Sequence, residues 1–186
     1  SKLFTMKKLL FLTMLFFTAL VSGAQFSKAT LQATGLTCAM CSNAINKALQ
    51  QVPFVESVRS DIRNSAFSIV FKSNSEVDID ELKESVEDAG FSVGSLQLTG
   101  TFSEVKIEKD KHIKIGKENF HFLNGDGQSF SGEQIITVVD KNFVTEKQFK
   151  KLSASSKMSC VQTGKTSSCC VKDGIAEGER VYHVRI

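Results

Sequence analysis

The segment Gly35-Leu36-Thr37-Cys38-Ala39-Met40-Cys41 sets two thiols three residues apart. Ser42 to Val52, directly after it, has the apolar spacing of an amphipathic helix, so the thiols fall on a loop that opens a helix. The first turn of a helix offers N–H groups without intrahelical partners and the positive end of the dipole. Both favour thiolate over thiol, and thiolate is the form that binds metal. Two such sulfurs form a bidentate clamp for a soft ion that accepts linear or trigonal coordination, such as Cu(I) or Hg(II). Structural zinc wants four ligands in a tetrahedron, and residues 25–98 contain no other Cys or His. Cys38 and Cys41 are therefore the expected metal ligands.

The remaining chemistry-bearing residues are less ordered in sequence. Cys160, Cys169 and Cys170 lie in a Ser-, Lys- and Thr-rich stretch from Lys151 to Lys172 that reads as a loop. The favoured reading is a disulfide from Cys160 to Cys169 or Cys170, because vicinal cysteines rarely bond to each other. The alternative is a second soft-metal site built from Met158, Cys160, Cys169 and Cys170. His112, His121 and His183 are scattered through strand-like runs and read as surface or internally satisfied histidines. Gly164-Lys165-Thr166 lacks the upstream glycine and the strand–helix context of a phosphate loop. No pair of carboxylates and no Ser/His/Asp arrangement stands out, so the expectation is a protein that is not an enzyme. The competing class is a thiol–disulfide oxidoreductase, which a C-x-x-C pair can also signal. Such enzymes set a cis-proline against the dithiol, and the one proline, Pro53, lies at the far end of the first helix.

The elements that must hold the thiols follow from apolar periodicity. Strands are expected at Phe26–Ala33, Val55–Ile62, Ala66–Phe71 and Phe91–Leu98, with helices at Ser42–Val52 and Ile79–Ala89. Ala44, Ile45, Ala48, Leu49 and Val52 form the buried stripe of the first helix, which Pro53 ends. Ile79, Leu82, Val86 and Ala89 form that of the second, with Asp78 or Asp80 as cap and Gly90 as stop. The order is a βαββαβ split unit. Beyond it, Thr99-Gly100-Thr101 reads as a hinge. Strand-like runs follow at Phe102–Glu108, His112–Ile115, Asn119–Leu123, Gln134–Val139 and Val181–Ile186, with one helix at Thr145–Leu152. Asn124-Gly125-Asp126-Gly127 reads as a hairpin turn. The expected fold class is α+β, a ferredoxin-like βαββαβ domain over 25–98 followed by a small mostly-β domain over 101–186, with an OB-like barrel as the nearest arrangement.

With Glu87-Asp88-Ala89-Gly90-Phe91 placed at the end of the second helix, the cysteine loop and the βαββαβ order resemble the heavy-metal-associated (HMA) domain family over roughly residues 25–98. That family includes copper chaperones, the N-terminal modules of metal-pumping ATPases and the periplasmic mercury-binding protein. The resemblance implies Cu(I) bound by Cys38 and Cys41 and passed to a protein partner, a transporter or cuproprotein, through a three-coordinate intermediate. A periplasmic Hg(II) scavenger is the alternative within the family. Members that carry zinc, cadmium or lead often have an acidic residue before the first cysteine. Thr37 stands there in this chain, which points to a monovalent ion. Leu36 takes the place of the usual Met and should plug the space beneath the loop with similar volume. Phe91 occupies a position close to the family's metal loop, where it either shields the sulfurs or serves the core. Met40 should point away. Two such domains could share one ion between four sulfurs, which allows a metal-bridged dimer.

Residues 1–24 read as a secretory signal. Lys7 and Lys8 follow Met6, the expected start. Leu9–Val21 is apolar but shorter than the ~20 residues that span a bilayer, and Ser22-Gly23-Ala24 offers a cleavage site. Its removal takes Lys2, Lys7 and Lys8 and no acid, so 23 basic and 20 acidic residues become 20 against 20. Charge therefore gives no support to a nucleic-acid partner. All five cysteines would be exported to an oxidising periplasm.

Overall fold

The computed structural model describes residues 25–36, 38–154, 156–168 and 170–186. The expected signal segment, Thr37 and Cys169 lie outside the described residues. In chain order the elements are β1 (Gln25–Thr34), α1 (Ala39–Gln50), β2 (Val55–Asp61), β3 (Ala66–Phe71), α2 (Ile79–Asp88), β4 (Ser92–Lys106), β5 (His112–Ile115), β6 (Glu118–Phe122), β7 (Ser129–Val138), α3 (Glu146–Ala154), α4 (Ser159–Thr163) and β8 (Val181–Arg185). Among the described residues no helix is long and apolar enough to cross a membrane.

The first half has the expected ferredoxin-like topology. Its strands run in the order β2-β3-β1-β4, all antiparallel. Period-two alternation turns Phe67, Ile69 and Phe71 of β3, and Ala29 and Leu31 of β1, toward the helices. Ile45 and Leu49 of α1 and Ile79, Leu82 and Val86 of α2 join them in one core. Each fully buried Leu, Ile or Phe there contributes roughly 1.5–3 kcal/mol. Asp78 caps α2, its carboxylate accepting from the Glu81 N–H at 3.1 Å. At the other end the Gly90 N–H donates to Glu87 O at 2.9 Å and the Phe91 N–H to Val86 O at 3.1 Å. This is the paired bonding of a glycine-terminated helix, with Gly90 at φ +88°.

The second half departs from expectation. Thr99, Gly100 and Thr101 are not a hinge but mid-strand residues of β4, paired with β1 on one side and with Ile135, Gln134 and Glu133 of β7 on the other. The two halves share one eight-stranded sheet, ordered β2-β3-β1-β4-β7-β8-β6-β5. The sheet stays open, with β2 and β5 at its edges, so the OB-like barrel is corrected. The physical reason is β8, which pairs antiparallel with β7 and parallel with β6 and so extends the sheet of the first half. Because β8 separates β6 from β7, the Asn124–Gly127 turn joins two strands that are not neighbours and closes no simple hairpin. It keeps the expected backbone, with Gly125 and Gly127 at φ +84° and +77°.

Strands β6 and β8 are covered on both faces. Phe120, Phe122, Tyr182 and Val184 point into the main core, while Val181 packs on the other face with Cys160, Val161 and Cys170 from the 139–180 segment. His112, His121 and His183 are buried, at 5%, 2% and 1% exposure, rather than at the surface.

Arg180, just before β8, ties the halves together. It grips Asp80 of α2 with two bonds, Nε–Oδ2 at 2.7 Å and Nη2–Oδ1 at 3.1 Å, and reaches Asp140 Oδ2 at 3.2 Å. Its guanidinium also lies over the Tyr182 ring, 4.0 Å from the centroid.

Candidate metal centre

Cys38 is the N-cap of α1, and Cys41 lies in the helix's first turn. The capping geometry makes the clamp. Extended backbone at Cys38 (φ −152°, ψ 160°) lets its carbonyl accept the first helical bond, from the Ser42 N–H at 3.3 Å, while its Sγ accepts the Cys41 N–H at 3.3 Å. The two sulfurs lie 2.7 Å apart. The Cys41 thiol beside it and then the Cys41 N–H hold the Cys38 thiol below its ordinary range, since both donate to the charged form. Gly35, at φ +81° with open space around it, makes the turn from β1 into the loop. Cys38 is exposed and Cys41 half-buried. Metal–sulfur bonds of about 2.3 Å require the sulfurs to swing apart, which an exposed side chain allows.

Beneath the loop is a cleft of about 270 Å³ lined by Leu36, Cys38, Ala39, Ser42, Ile62 and Ser65. Leu36 is partly buried and packs on the core, as expected of a plug. Phe91 also packs on the core, as the residue that follows the glycine stop of α2, and it does not line this cleft. Of its two sequence readings, the structure favours core. Met40 is 83% exposed and Ile62 59% exposed, so the thiols are flanked by two apolar side chains open to solvent. Asn46 Nδ2 donates to Ser60 Oγ at 2.6 Å, tying α1 to β2 beside the loop.

The structure brings Cys38 and Cys41 together and sets the remaining described cysteines elsewhere. Cys160 and Cys170 are fully buried in the second half. The favoured sequence reading is a disulfide from Cys160 to Cys169 or Cys170, the alternative a soft-metal site with Met158, and neither includes the histidines. The structure packs Met158 against Cys160 and Cys170 and adds the three histidines to them. His112, Cys160 and Cys170 bring one ligand atom each within 4.8 Å of one another, and so do His121, Cys160 and His183. Alternation along β6 and β8 was the available signal, but a histidine on the polar phase of a strand reads as solvent-facing until the segment covering it is known.

Comparison with known proteins bears on the first half. The heavy-metal-associated domain matches residues 30–92. A probable copper-transporting ATPase, HMA5, of Arabidopsis thaliana is 34% identical over 71 residues, which are 38% of this chain and 7% of that protein. The copper chaperone CopZ of Staphylococcus aureus is 28% identical over 67 residues, 36% of this chain and 97% of the chaperone. Among solved structures, a copper-binding domain from HMA7, a P-type ATPase, is 33% identical over 39% of this chain and 92% of that one, with a TM-score of 0.34. This chain thus spans nearly all of a small chaperone and a small fraction of an ATPase. Residues 30–92, about a third of the chain, are thus a heavy-metal-associated domain.

Proposed function

We propose that the protein binds one Cu(I) ion between Cys38 and Cys41 and hands it to a protein partner, outside the cytoplasm. The observation that carries this reading is the pair of accessible sulfurs at a helix N-terminus, one of them biased toward thiolate, on a domain homologous to copper chaperones and copper-ATPase modules. Transfer proceeds by ligand exchange. A partner thiol loses its proton as its sulfur bonds to copper, giving a three-coordinate ion. One of the two cysteines then leaves and takes up a proton, a second partner thiol displaces the other in the same way, and the copper stays Cu(I) throughout. Met40 and Ile62 suit this step, because they give a partner apolar surface against the open side of the ion. A periplasmic Hg(II) scavenger uses the same clamp and is separated by the metal. No residue here is assigned to catalysis.

The test is anaerobic Cu(I) titration of the reduced protein from Gln25 onward against a competing chelator, beside a Cys38→Ser/Cys41→Ser variant. One tight equivalent that disappears in the variant is the expected result. Any equivalent that survives belongs elsewhere in the chain. Equal uptake by both proteins, or none by either, overturns the assignment. Preference for Hg(II) over Cu(I) in the same competition would replace carriage of copper by scavenging. Export is checked by N-terminal sequencing of the protein recovered after osmotic shock, which should begin at Gln25. Recovery of an unprocessed chain from the cytoplasm removes that part.

A further inference from the structure

Three histidines stand in a row across three adjacent strands. The register pairs His112 of β5 with His121 of β6, and His121 with His183 of β8. Their rings lie side by side, with centroids 5.0 Å and 5.2 Å apart. Facing the row is Cys160 of α4, with Cys170 nearby; all five side chains are at least nine-tenths buried. Cys160 belongs to both of the tight triads, the one with His112 and Cys170 and the one with His121 and His183.

The outer partners of these histidines are arranged as they are around metal-bound imidazoles. His112 Nδ1 meets Asp173 Oδ2 at 2.7 Å, and His183 Nδ1 meets Asp140 Oδ1 at 2.7 Å. A carboxylate at Nδ1 holds the proton on that nitrogen and leaves the lone pair on Nε2. Both Nε2 atoms turn to the same sulfur, 3.8 Å and 3.4 Å from Cys160 Sγ. His121 is different. Its Nδ1 is buried without a hydrogen-bond partner among the described residues. Leaving a buried polar group unsatisfied costs about 1–3 kcal/mol, so packing alone gives no reason to keep a histidine there. His121 also lines a cleft of about 410 Å³, with Met158, Leu123 and Asp126 among its walls, which opens a route to the row from outside.

We propose that this cluster is a second metal site, independent of Cys38 and Cys41, that takes one zinc or copper ion on Cys160, His121 and His183, with His112 completing the coordination and Cys170 beside it. Mixed imidazole and thiolate donors select late first-row ions. Hard cations need oxygen ligands, and the two nearest carboxylates are engaged with His112 and His183. Three or four nitrogen and sulfur donors suit tetrahedral Zn(II) and also Cu(I). The ion would join β5, β6 and β8 to the 139–180 segment.

The test uses the reduced, metal-free chain from Gln25 onward, carrying Cys38→Ser/Cys41→Ser, so that the first site cannot contribute. Co(II) as a spectroscopic stand-in for zinc, then Zn(II), then Cu(I) under anaerobic conditions are each titrated against a chelator, with thermal melting followed in parallel. One tight equivalent that raises the melting temperature, with a sulfur-to-cobalt absorption band in the Co(II) arm, is expected. The tighter of the Zn(II) and Cu(I) arms identifies the ion. His121→Gln is the decisive variant, since no hydrogen bond at Nδ1 is lost and the metal-free protein should melt as before. In it and in Cys160→Ser, affinity should fall at least ~100-fold, and Asp140→Asn should lose ~10–100-fold through the orientation of His183. No tight equivalent in the parent for any of the three ions, or an equivalent that persists in His121→Gln and Cys160→Ser, overturns the proposal.

Discussion

An N-cap side chain is normally a Ser, Thr, Asp or Asn oxygen that accepts an orphan N–H of the first turn. Cys38 performs this with sulfur, and a sulfur accepts best when charged. The cap and the proposed clamp are therefore one arrangement, in which the helix start stabilises thiolate, the form in which sulfur binds metal. Of the two donors, the Cys41 thiol has the larger effect on Cys38 and the Cys41 N–H the smaller. Replacing Cys41 by alanine removes the first and leaves the second. The pH midpoint for iodoacetamide alkylation of Cys38 should then rise toward the ordinary thiol value of ~8.5, without reaching it. Mass spectrometry of the reduced, metal-free protein across a pH series measures this. An unchanged midpoint would mean that the helix start alone sets the thiol and that the sulfur pair contributes nothing. This thiol pair was legible in the sequence because its geometry is local, with seven consecutive residues carrying the turn, the cap and both sulfurs.

At the level of elements, legibility depended on how far apart in sequence the deciding partners lie. The first helix pair and β3 follow from apolar period and caps, and they stand where expected within three residues at their boundaries. Gly90 shows why, since its place is set by the helix it ends. Its φ of +88° is one that side-chain-bearing residues adopt at a cost of roughly 1–2 kcal/mol, and a Cβ there would meet nothing within 4 Å. Gly90→Ala should therefore lower unfolding free energy by about 1–2 kcal/mol in a urea titration, with the slope unchanged and Cu(I) affinity as in the parent. A larger loss would point to a packing role that the open space does not support. Strand partners beyond the β1–β4 pair were not legible. Thr99-Gly100-Thr101 reads as a break because it has little to pack, yet pairing on both edges makes it continuous strand. β8, last in the chain, enters between β7 and β6, and no local pattern announces that choice. The histidine row follows from that insertion, which is why residues 112, 121 and 183 read as scattered.

Across the whole molecule, the shared sheet and Arg180 make the two halves one body, and Arg180 carries the charged part of the link. Burial pulls its guanidinium toward deprotonation, but the bonds to Asp80 and the charges of Asp140 and Asp80 outweigh it and push its pKa upward. Asp80 is the mirror case. Burial alone would raise its carboxyl, while Arg180, with smaller help from Tyr182 and Lys83, holds it below its ordinary 3.8. A carboxyl lowered in the folded state adds stability that is fully present above 3.8 and is lost as pH falls through the folded value. Arg180→Met keeps an apolar stem on the Tyr182 ring and deletes the charge. It leaves Asp140, nearly fully buried, facing only His183, and Asp80 without its main partner. At neutral pH the expected loss is about 3 kcal/mol, the lower end for breaking a buried pair, because the Arg180 side chain keeps 27% exposure. Without the guanidinium, burial is the largest remaining influence on Asp80, and its carboxyl should move above 3.8. The variant then gains stability as pH falls toward that value, while the parent loses it below. The gap between the two proteins should therefore narrow in acid, which urea unfolding at a series of pH values from neutral to about 3.5 will measure. A gap that stays constant would mean that Arg180 acts through its packing and its bonds to the Gly164 and Val181 carbonyls, with the Asp80 pair contributing nothing.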